Sequence, residues 1–166
     1  MTHDPIDTLA AIRLVAEYDP MEDMIIAGVR SFLEKISAVT WERVRDETRM
    51  DIHMIHLINL IQNGFPQDMK DLPPQLQTYW QHRNNLSTID DVVMYEDRIL
   101  VPPSLRAEVC TTLHSAHQVV TAMNARARST VFWPGITTAI QRTREECDSC
   151  WKMAPSQCNQ SSHGSI

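Results

Sequence analysis

The fold is decided by L-H-S-A-H-Q at residues 113–118, W-P-G at residues 133–135 and C-D-S-C at residues 147–150. His114 and His117 form an H-x2-H pair, and 29 residues separate it from the C-x2-C pair of Cys147 and Cys150. Two imidazoles and two thiolates are a common ligand set for zinc, and the spacing leaves room for a helical hairpin between the pairs. We therefore predict one structural Zn²⁺ bound by these four side chains.

A structural role is predicted because the protein fills every coordination position. Catalytic zinc keeps one position open for water or substrate, whereas a tetrahedral site with four protein ligands has none. A hydrolase or nuclease that uses this zinc would require one of the four ligands to be absent. We expect both histidines to leave the same face at the end of a helix over residues 104–117.

Three other groups of ligand residues compete with this assignment. His53 and His56 repeat the H-x2-H spacing, but residues 1–100 contain no second ligand pair, so we expect them on a helix surface. A rival site would combine Cys147 and Cys150 with Cys158 and His163, which lie in a polar tail. Cys110 precedes the histidines on the same predicted helix and is expected in the core.

Composition places the chain among ordinary globular proteins. It has 166 residues, of which 43% are hydrophobic and 22% charged, enough for one domain or two small ones. It lacks an apolar run of the roughly 18 residues that a membrane span needs, and residues 1–19 lack signal-peptide features. We expect no membrane partner and an intracellular location, in the nucleus or a cytoplasmic particle, where cysteines serve as thiols or metal ligands.

Charge is distributed unevenly along the chain. Residues 1–100 carry a net charge of −8, whereas residues 101–166 carry +2. Phosphate neutralisation by Lys and Arg supplies most non-specific affinity for DNA. Any contact with nucleic acid should therefore come from the C-terminal third.

The secondary-structure pattern predicts a mostly α fold with an N-terminal helical segment, a short β-hairpin and a small zinc-stabilised helical bundle. Apolar spacing and capping residues predict helices over residues 21–36, 41–49, 52–63, 75–86, 104–117, 121–132 and 136–147. Val92–Tyr95 and Arg98–Val101 read as the two strands of a hairpin. The predicted division is a helical region at 1–85, a hairpin extension at 86–102, a zinc-binding domain at 103–155 and a disordered tail at 156–166.

These motifs resemble a known family. Residues 92–157, with R-I-L-V-P, P-S-L-R, L-H-S-A-H-Q, A-R-A-R, V-F-W-P-G-I and C-D-S-C in order, closely resemble the zinc-binding (HHCC) N-terminal region of Ty3/gypsy-type retrotransposon integrases. Residues 40–86, with T-W-E-R-V and Y-W-Q-H-R-N-N-L, are similar to the segment that precedes integrase in such polyproteins. The resemblance does not extend to residues 1–39, for which we predict only that they are helical.

The resemblance implies a non-catalytic module that supports integrase multimers and contacts element-end DNA. It implies zinc ligation by the four residues above, a core position for Trp133, and DNA contacts by Arg126, Arg128, Arg142 and Arg144. The acidic catalytic core of the family would follow Gln157, but the nine residues there carry no carboxylate side chain, so we expect no enzymatic activity. The alternative is a zinc-stabilised protein–protein interaction domain from a truncated or domesticated element.

One residue departs from the family pattern. Family members usually have glycine after H-Q, whereas this chain has Val119. If that turn needs a positive φ, Val119 should be strained by roughly 1–2 kcal/mol. In the competing interpretation, Val119 and Val120 extend the apolar surface under Met123 and Trp133.

Overall fold

The computed structural model describes residues 20–35 and 39–153. In these ranges the α-helices are α1 (Pro20–Lys35), α2 (Trp41–Met50), α3 (Ile52–Asn63), α4 (Pro74–Gln77), α5 (Pro103–Leu113), α6 (Val120–Arg128), α7 (Ile136–Glu145) and α8 (Asp148–Met153). The strands are β1 (Leu86–Ile89), β2 (Val92–Tyr95), β3 (Arg98–Leu100) and β4 (Val131–Phe132), and 3₁₀ turns cover Met69–Asp71, Trp80–Asn85 and Ser115–His117. The prediction of a mostly α fold is confirmed, while the predicted tail at 156–166 lies outside the described residues.

Polar caps set the boundaries of the N-terminal helices. The Thr40 hydroxyl accepts a hydrogen bond from the backbone N–H of Arg43 at the start of α2. Asp51 accepts two backbone N–H groups in the first turn of α3, and Gly64 ends that helix at a φ of +102°. Side-chain acceptors satisfy N–H groups that have no partner within the helix, and glycine adopts positive φ without steric cost. These boundaries agree with the sequence prediction.

The predicted hairpin is confirmed as β2 and β3, but it belongs to a larger sheet. Four strands lie in the order β1-β2-β3-β4, and only the β3–β4 pair is parallel. Asp90 and Asp91 join β1 to β2 with φ values of 49° and 60°, as a two-residue type I′ turn requires. Strand β1 is absent from the sequence prediction, although Asp90-Asp91 indicates a turn before β2, because aspartate tolerates positive φ.

Two of the predicted helices end early because the chain enters the sheet. The helix predicted over residues 121–132 stops at Arg128, because the Thr130 carbonyl accepts the Ile99 N–H at 2.8 Å and the following residues extend the sheet as β4. The helix predicted over residues 75–86 divides into α4 and a 3₁₀ turn. In this turn the Arg83 guanidinium donates a hydrogen bond to the Trp80 carbonyl at 2.7 Å. The helix does not continue to Leu86, because Leu86 begins β1 and pairs with β2.

The sheet lies between two hydrophobic cores. One face packs on a core with α2, α5, α6 and α7, whose members include Trp41, Val44, Met94, Ile99, Leu105, Leu113, Met123, Trp133 and Ile140. The other face packs on a core with α3 and α4, whose members include Met54, Leu57, Leu76, Val93 and Leu100. Side chains from the three predicted segments at 1–85, 86–102 and 103–155 therefore share the first core.

Ion pairs connect α2 to neighbouring elements. Arg49 pairs with Asp91 at 2.7 Å in the β1–β2 turn, and Arg43 pairs with Glu108 of α5 at 2.7 Å. Such exposed pairs typically contribute about 0–1 kcal/mol, so burial in the first core supplies most of the attachment. In the described ranges no helix is both long and apolar enough to span a membrane.

Candidate metal centre

The two histidines directly follow the end of α5. Leu113 is buried as the last residue of the helix, and His114 caps it, with its N–H bonded to the Cys110 carbonyl at 3.0 Å. Ala116 and His117 then have φ values of 59° and 54°. The prediction that both imidazoles leave one face of a continuous helix is therefore wrong, since two consecutive left-handed residues turn the chain between them.

The two cysteines flank the start of α8, which the sequence did not predict. Cys147 follows α7, and Cys150 is buried in α8. Backbone N–H groups of Cys150 and Ser149 donate to the Cys147 sulfur, and the Cys150 N–H is the largest cause that lowers the pKa of the Cys147 thiol. Burial raises the pKa of the Cys150 thiol. The turn thus points backbone donors at one sulfur, while the second sulfur lies away from water.

The four ligand atoms have the spacing of a tetrahedral site. The Cys150 Sγ lies 3.4 Å from His114 Nε2 and 3.4 Å from His117 Nδ1, and the Cys147 Sγ lies 3.5 Å from His117 Nδ1. All four atoms lie within 4.8 Å of one another. Zn–N bonds of about 2.0–2.1 Å and Zn–S bonds of about 2.3 Å give tetrahedral N···S edges of roughly 3.5 Å. Three of the N···S distances match this edge, so the four side chains fit a Zn²⁺ ion.

The remaining ring nitrogen of His114 has a partner. Its Nδ1 lies 3.2 Å from the backbone carbonyl of Gln118, which can only accept a hydrogen bond. The proton is therefore on Nδ1, and Nε2 carries the lone pair toward the other ligands. Zinc-bound histidines commonly have such a partner, because it fixes the tautomer and orients the ring.

The competing ligand groups do not form a second centre in the described part of the chain. His53 and His56 are exposed on α3, and the group of four is the one metal-ligating cluster found among the described residues. Cys158 and His163 lie outside those residues. Cys110 is buried, which raises the pKa of its thiol, so the prediction of a core position is confirmed.

The predicted core tryptophan is also confirmed. Trp133 is buried in the first core, with the Arg106 guanidinium 5.9 Å from its ring centroid. Gly135 follows at a φ of +85° and caps α7. The W-P-G sequence thus ends β4, fills the core and starts the helix that leads to the cysteines.

The four arginines assigned to DNA have different surroundings. Arg126 is half-buried and Arg128 is exposed in the last turn of α6. Arg142 lies 3.7 Å from Glu146 on the surface of α7, whereas Arg144 is half-buried and its positive charge acts to lower the pKa of the Cys147 and Cys150 thiols. Arg144 is thus the one of the four whose charge acts on the ligand thiols, and a DNA role for all four stays a prediction.

The strained-turn interpretation of Val119 is wrong, and the packing interpretation holds only for Val120, which is half-buried against the first core. Val119 has a φ of −72° and a ψ of 154°, so it occupies an extended conformation without strain. It is also 58% exposed, so it does not pack under Met123 and Trp133. The positive φ values of this turn lie earlier, at Ala116 and His117, because the chain reverses before the second ligand rather than after it.

Comparisons with known proteins agree with this centre. Residues 101–156 match the family model described as the integrase zinc binding domain. The chain is also 30% identical over 139 residues to Uncharacterized protein K02A2.6 of Caenorhabditis elegans, an alignment that covers 78% of this chain and 11% of the relative. No solved structure matches the chain. Residues 101–156, which contain the His114–Cys150 cluster, therefore belong to the integrase zinc-binding (HHCC) domain family.

Proposed function

We propose that this chain supplies a non-catalytic module, stabilised by one structural Zn²⁺, to a retroelement integrase. The observation that carries the proposal is the set of four ligand atoms within 4.8 Å of one another, supplied by two segments of the family-matched region. Zinc bound here would hold the end of α5 against the start of α8. Its role would be to fix the helical bundle, since free energy of metal binding adds to the free energy of folding in small zinc domains.

The filled ligand set supports a role without catalysis at the zinc. Polarising a substrate or activating a water requires an open position, and four protein ligands leave none. We expect the purified chain to neither process nor join element-end DNA with Mg²⁺ or Mn²⁺. Strand transfer by the chain alone, lost on substitution of one of its own residues, would contradict the proposal.

Contact with DNA is the proposed partner interaction of the C-terminal third. Its net charge of +2 supports this, as do Arg126 and Arg128, which form no ion pair with any carboxylate of the described residues. DNA titration at two salt concentrations tests it, because each phosphate contact steepens the fall of affinity with salt. Arg128→Gln should reduce both the affinity and the salt slope. Salt-independent binding would contradict a phosphate interface.

Self-association or binding to a retroelement integrase is the second candidate. Two observations favour it: residues 1–100 are acidic, and Trp151 and Met153 expose large apolar side chains on α8 beside the ligands. Exposed aromatic residues are enriched in protein interfaces, whereas an acidic surface repels DNA. Sedimentation equilibrium of the zinc-loaded chain, with Trp151→Ser as the comparison, distinguishes this candidate from DNA binding. We place this activity inside the cell, in the nucleus or a cytoplasmic particle.

A further inference from the structure

The first turns of α1 carry an apolar groove that the proposed zinc site does not use. Its volume is about 650 Å³, and its lining residues include Pro20, Met21, Met24 and Ile25. Ile25 also packs against the first core, which attaches the groove to the folded domain. Met24 is 76% exposed. Methionine is flexible and polarisable, so a groove lined in this way adapts well to an aromatic side chain.

Two carboxylates lie beside this groove. Glu22 and Asp23 stand between the two methionines in the sequence and are exposed in the first turn of α1. Neither forms an ion pair with a cationic side chain of the described residues. The groove therefore combines an apolar lining with negative charge at its side. A complementary occupant is a large apolar side chain next to a positive charge.

Helix α8 of the same chain carries a side-chain pair of this kind. Trp151 is 78% exposed, and Lys152 follows it, exposed and without a carboxylate partner in the described part of the chain. The preceding residue, Cys150, is buried and anchors α8 to the fold. A tryptophan this exposed does not occupy the groove of its own chain. Within one copy, the two surfaces therefore do not meet.

We propose that Trp151 of one copy of the chain inserts into the α1 groove of a second copy. The same contact places Lys152 beside the carboxylates of Glu22 and Asp23. This inference rests on the proposed function, because it names the surfaces that self-association uses. An inserted tryptophan buries about 150–250 Å², and tryptophans in pockets dominate the affinity of many interfaces. Opposite charges beside the pocket favour this pairing over others.

The test measures self-association of the zinc-loaded full chain by analytical ultracentrifugation. Trp151→Ser removes the inserted side chain, and Met24→Ser makes the groove polar. Each should weaken self-association by about 10-fold or more. Met50→Ser is the matched control, because Met50 is 85% exposed at the end of α2. It should change self-association by no more than about 2-fold.

A mixture of the two variants distinguishes this contact from one in which both copies use the same surface. The Met24→Ser chain keeps its tryptophan and the Trp151→Ser chain keeps its groove, so together they can form one complete contact. The mixture should therefore form a heterodimer that neither variant forms with itself. Lys152→Glu should weaken self-association of the parent, and adding Asp23→Lys should recover most of that loss.

Several outcomes would overturn the inference. These are a zinc-loaded parent that stays monomeric, equal losses in Trp151→Ser and Met50→Ser, parent-like association of Met24→Ser, a mixture without heterodimer, and no recovery in the charge-exchanged variant. Zinc content is measured for each variant and should equal that of the parent. Failure of the parent chain to bind zinc would instead reject the proposed function itself.

Discussion

His114 donates a hydrogen bond from Nδ1 to the backbone carbonyl of Gln118 at 3.2 Å, and this contact leaves Nε2 of the same ring 3.4 Å from the Cys150 sulfur. The chain that turns away from α5 therefore orients the first ligand of the pair. Residues 114–118 supply two ligands and the acceptor that fixes one of their tautomers. Metal binding at this turn and its backbone conformation are coupled.

Removing one imidazole should remove the metal. We expect His114→Gln to lose zinc binding, because the three remaining ligands bind zinc far less tightly than a complete tetrahedral set. His56→Gln is the matched control, since His53 and His56 have the same spacing but are exposed on α3. Zinc content measured by elemental analysis should fall only in His114→Gln. Equal zinc content in the two variants would contradict the ligand assignment.

Glycine should stabilise this turn at position 116 and not at position 119. Ala116 is exposed with a φ of 59°, a conformation that costs an L-residue about 1–2 kcal/mol. Glycine relieves this cost, but it also gives the unfolded chain more conformational entropy, which lowers the free energy of unfolding by about 0.4–1 kcal/mol. The net effect of Ala116→Gly should be to raise the free energy of unfolding by about 0.5–1 kcal/mol.

Val119→Gly is the comparison for that variant. Val119 already has a negative φ, so glycine relieves nothing and should lower the free energy of unfolding by about 0.5–1 kcal/mol. Urea unfolding of the zinc-loaded variants measures both effects. A gain at position 119 together with a loss at position 116 would show that the turn has been placed incorrectly.

The first core should make residues far from the ligands necessary for stability. Trp41 is 1% exposed in the core shared with α5 and α7, whereas Trp151 is 78% exposed. Trp41→Ala should lower the free energy of unfolding by about 3–5 kcal/mol, because truncation leaves a cavity. Trp151→Ala should change it by less than about 0.5 kcal/mol. Equal destabilisation of the two variants in urea would contradict the shared core.

A half-buried histidine beside the core that contains α3 and α4 provides a pH test. His82 packs edge-on against Tyr95 and Phe132, with centroid distances of 5.3 and 5.0 Å, and burial lowers the pKa of its imidazole from 6.5. A histidine pKa that is lower in the folded state means that the unfolded chain binds the proton more readily. The resulting stability is present above the unfolded pKa of about 6.5 and is lost as pH falls through it.

The measurement is the slope of unfolding free energy against pH. Between about pH 7.5 and about pH 5.5, stability should fall less in His82→Gln than in the parent. Both proteins keep the histidine ligands, whose protonation also opposes zinc binding, so the difference between the slopes isolates His82. Parallel slopes would show that His82 does not contribute.

The ligand set could be predicted from sequence, but the backbone that presents it could not. Four ligand residues in two pairs can be recognised from the sequence, because zinc requires those side-chain types. Ala116 and His117 have positive φ values although neither is a glycine, so nothing in the sequence marks the turn there. The sequence prediction places the turn at Val119 instead. The placement of Cys150 depends on how α7 meets α8, and α8 itself is only six residues long.

Prediction of the fold from the sequence was limited in the same way. Capping residues such as Thr40 and Asp51 act locally, and the helices they begin were predicted correctly. Strand β4 is two residues long and exists because Val131 and Phe132 lie beside β3, a contact between positions more than 30 residues apart. The secondary-structure propensity of neighbouring residues cannot predict pairing between strands that are distant in the sequence. The sharing of one core by residues 39–44 and the zinc-binding domain likewise depends on tertiary packing.

The central claim is that zinc is a structural part of this protein, and the most direct test is metal content combined with chelator-dependent unfolding of the full chain. Native mass spectrometry should find one Zn²⁺ per chain, since about 10–16 kcal/mol of binding free energy is available to small zinc domains. Chelation should then expose the amides of residues 103–152 to hydrogen exchange before those of α3. A chain that purifies without metal, and keeps its helicity, melting temperature and exchange pattern in chelator, would contradict the claim.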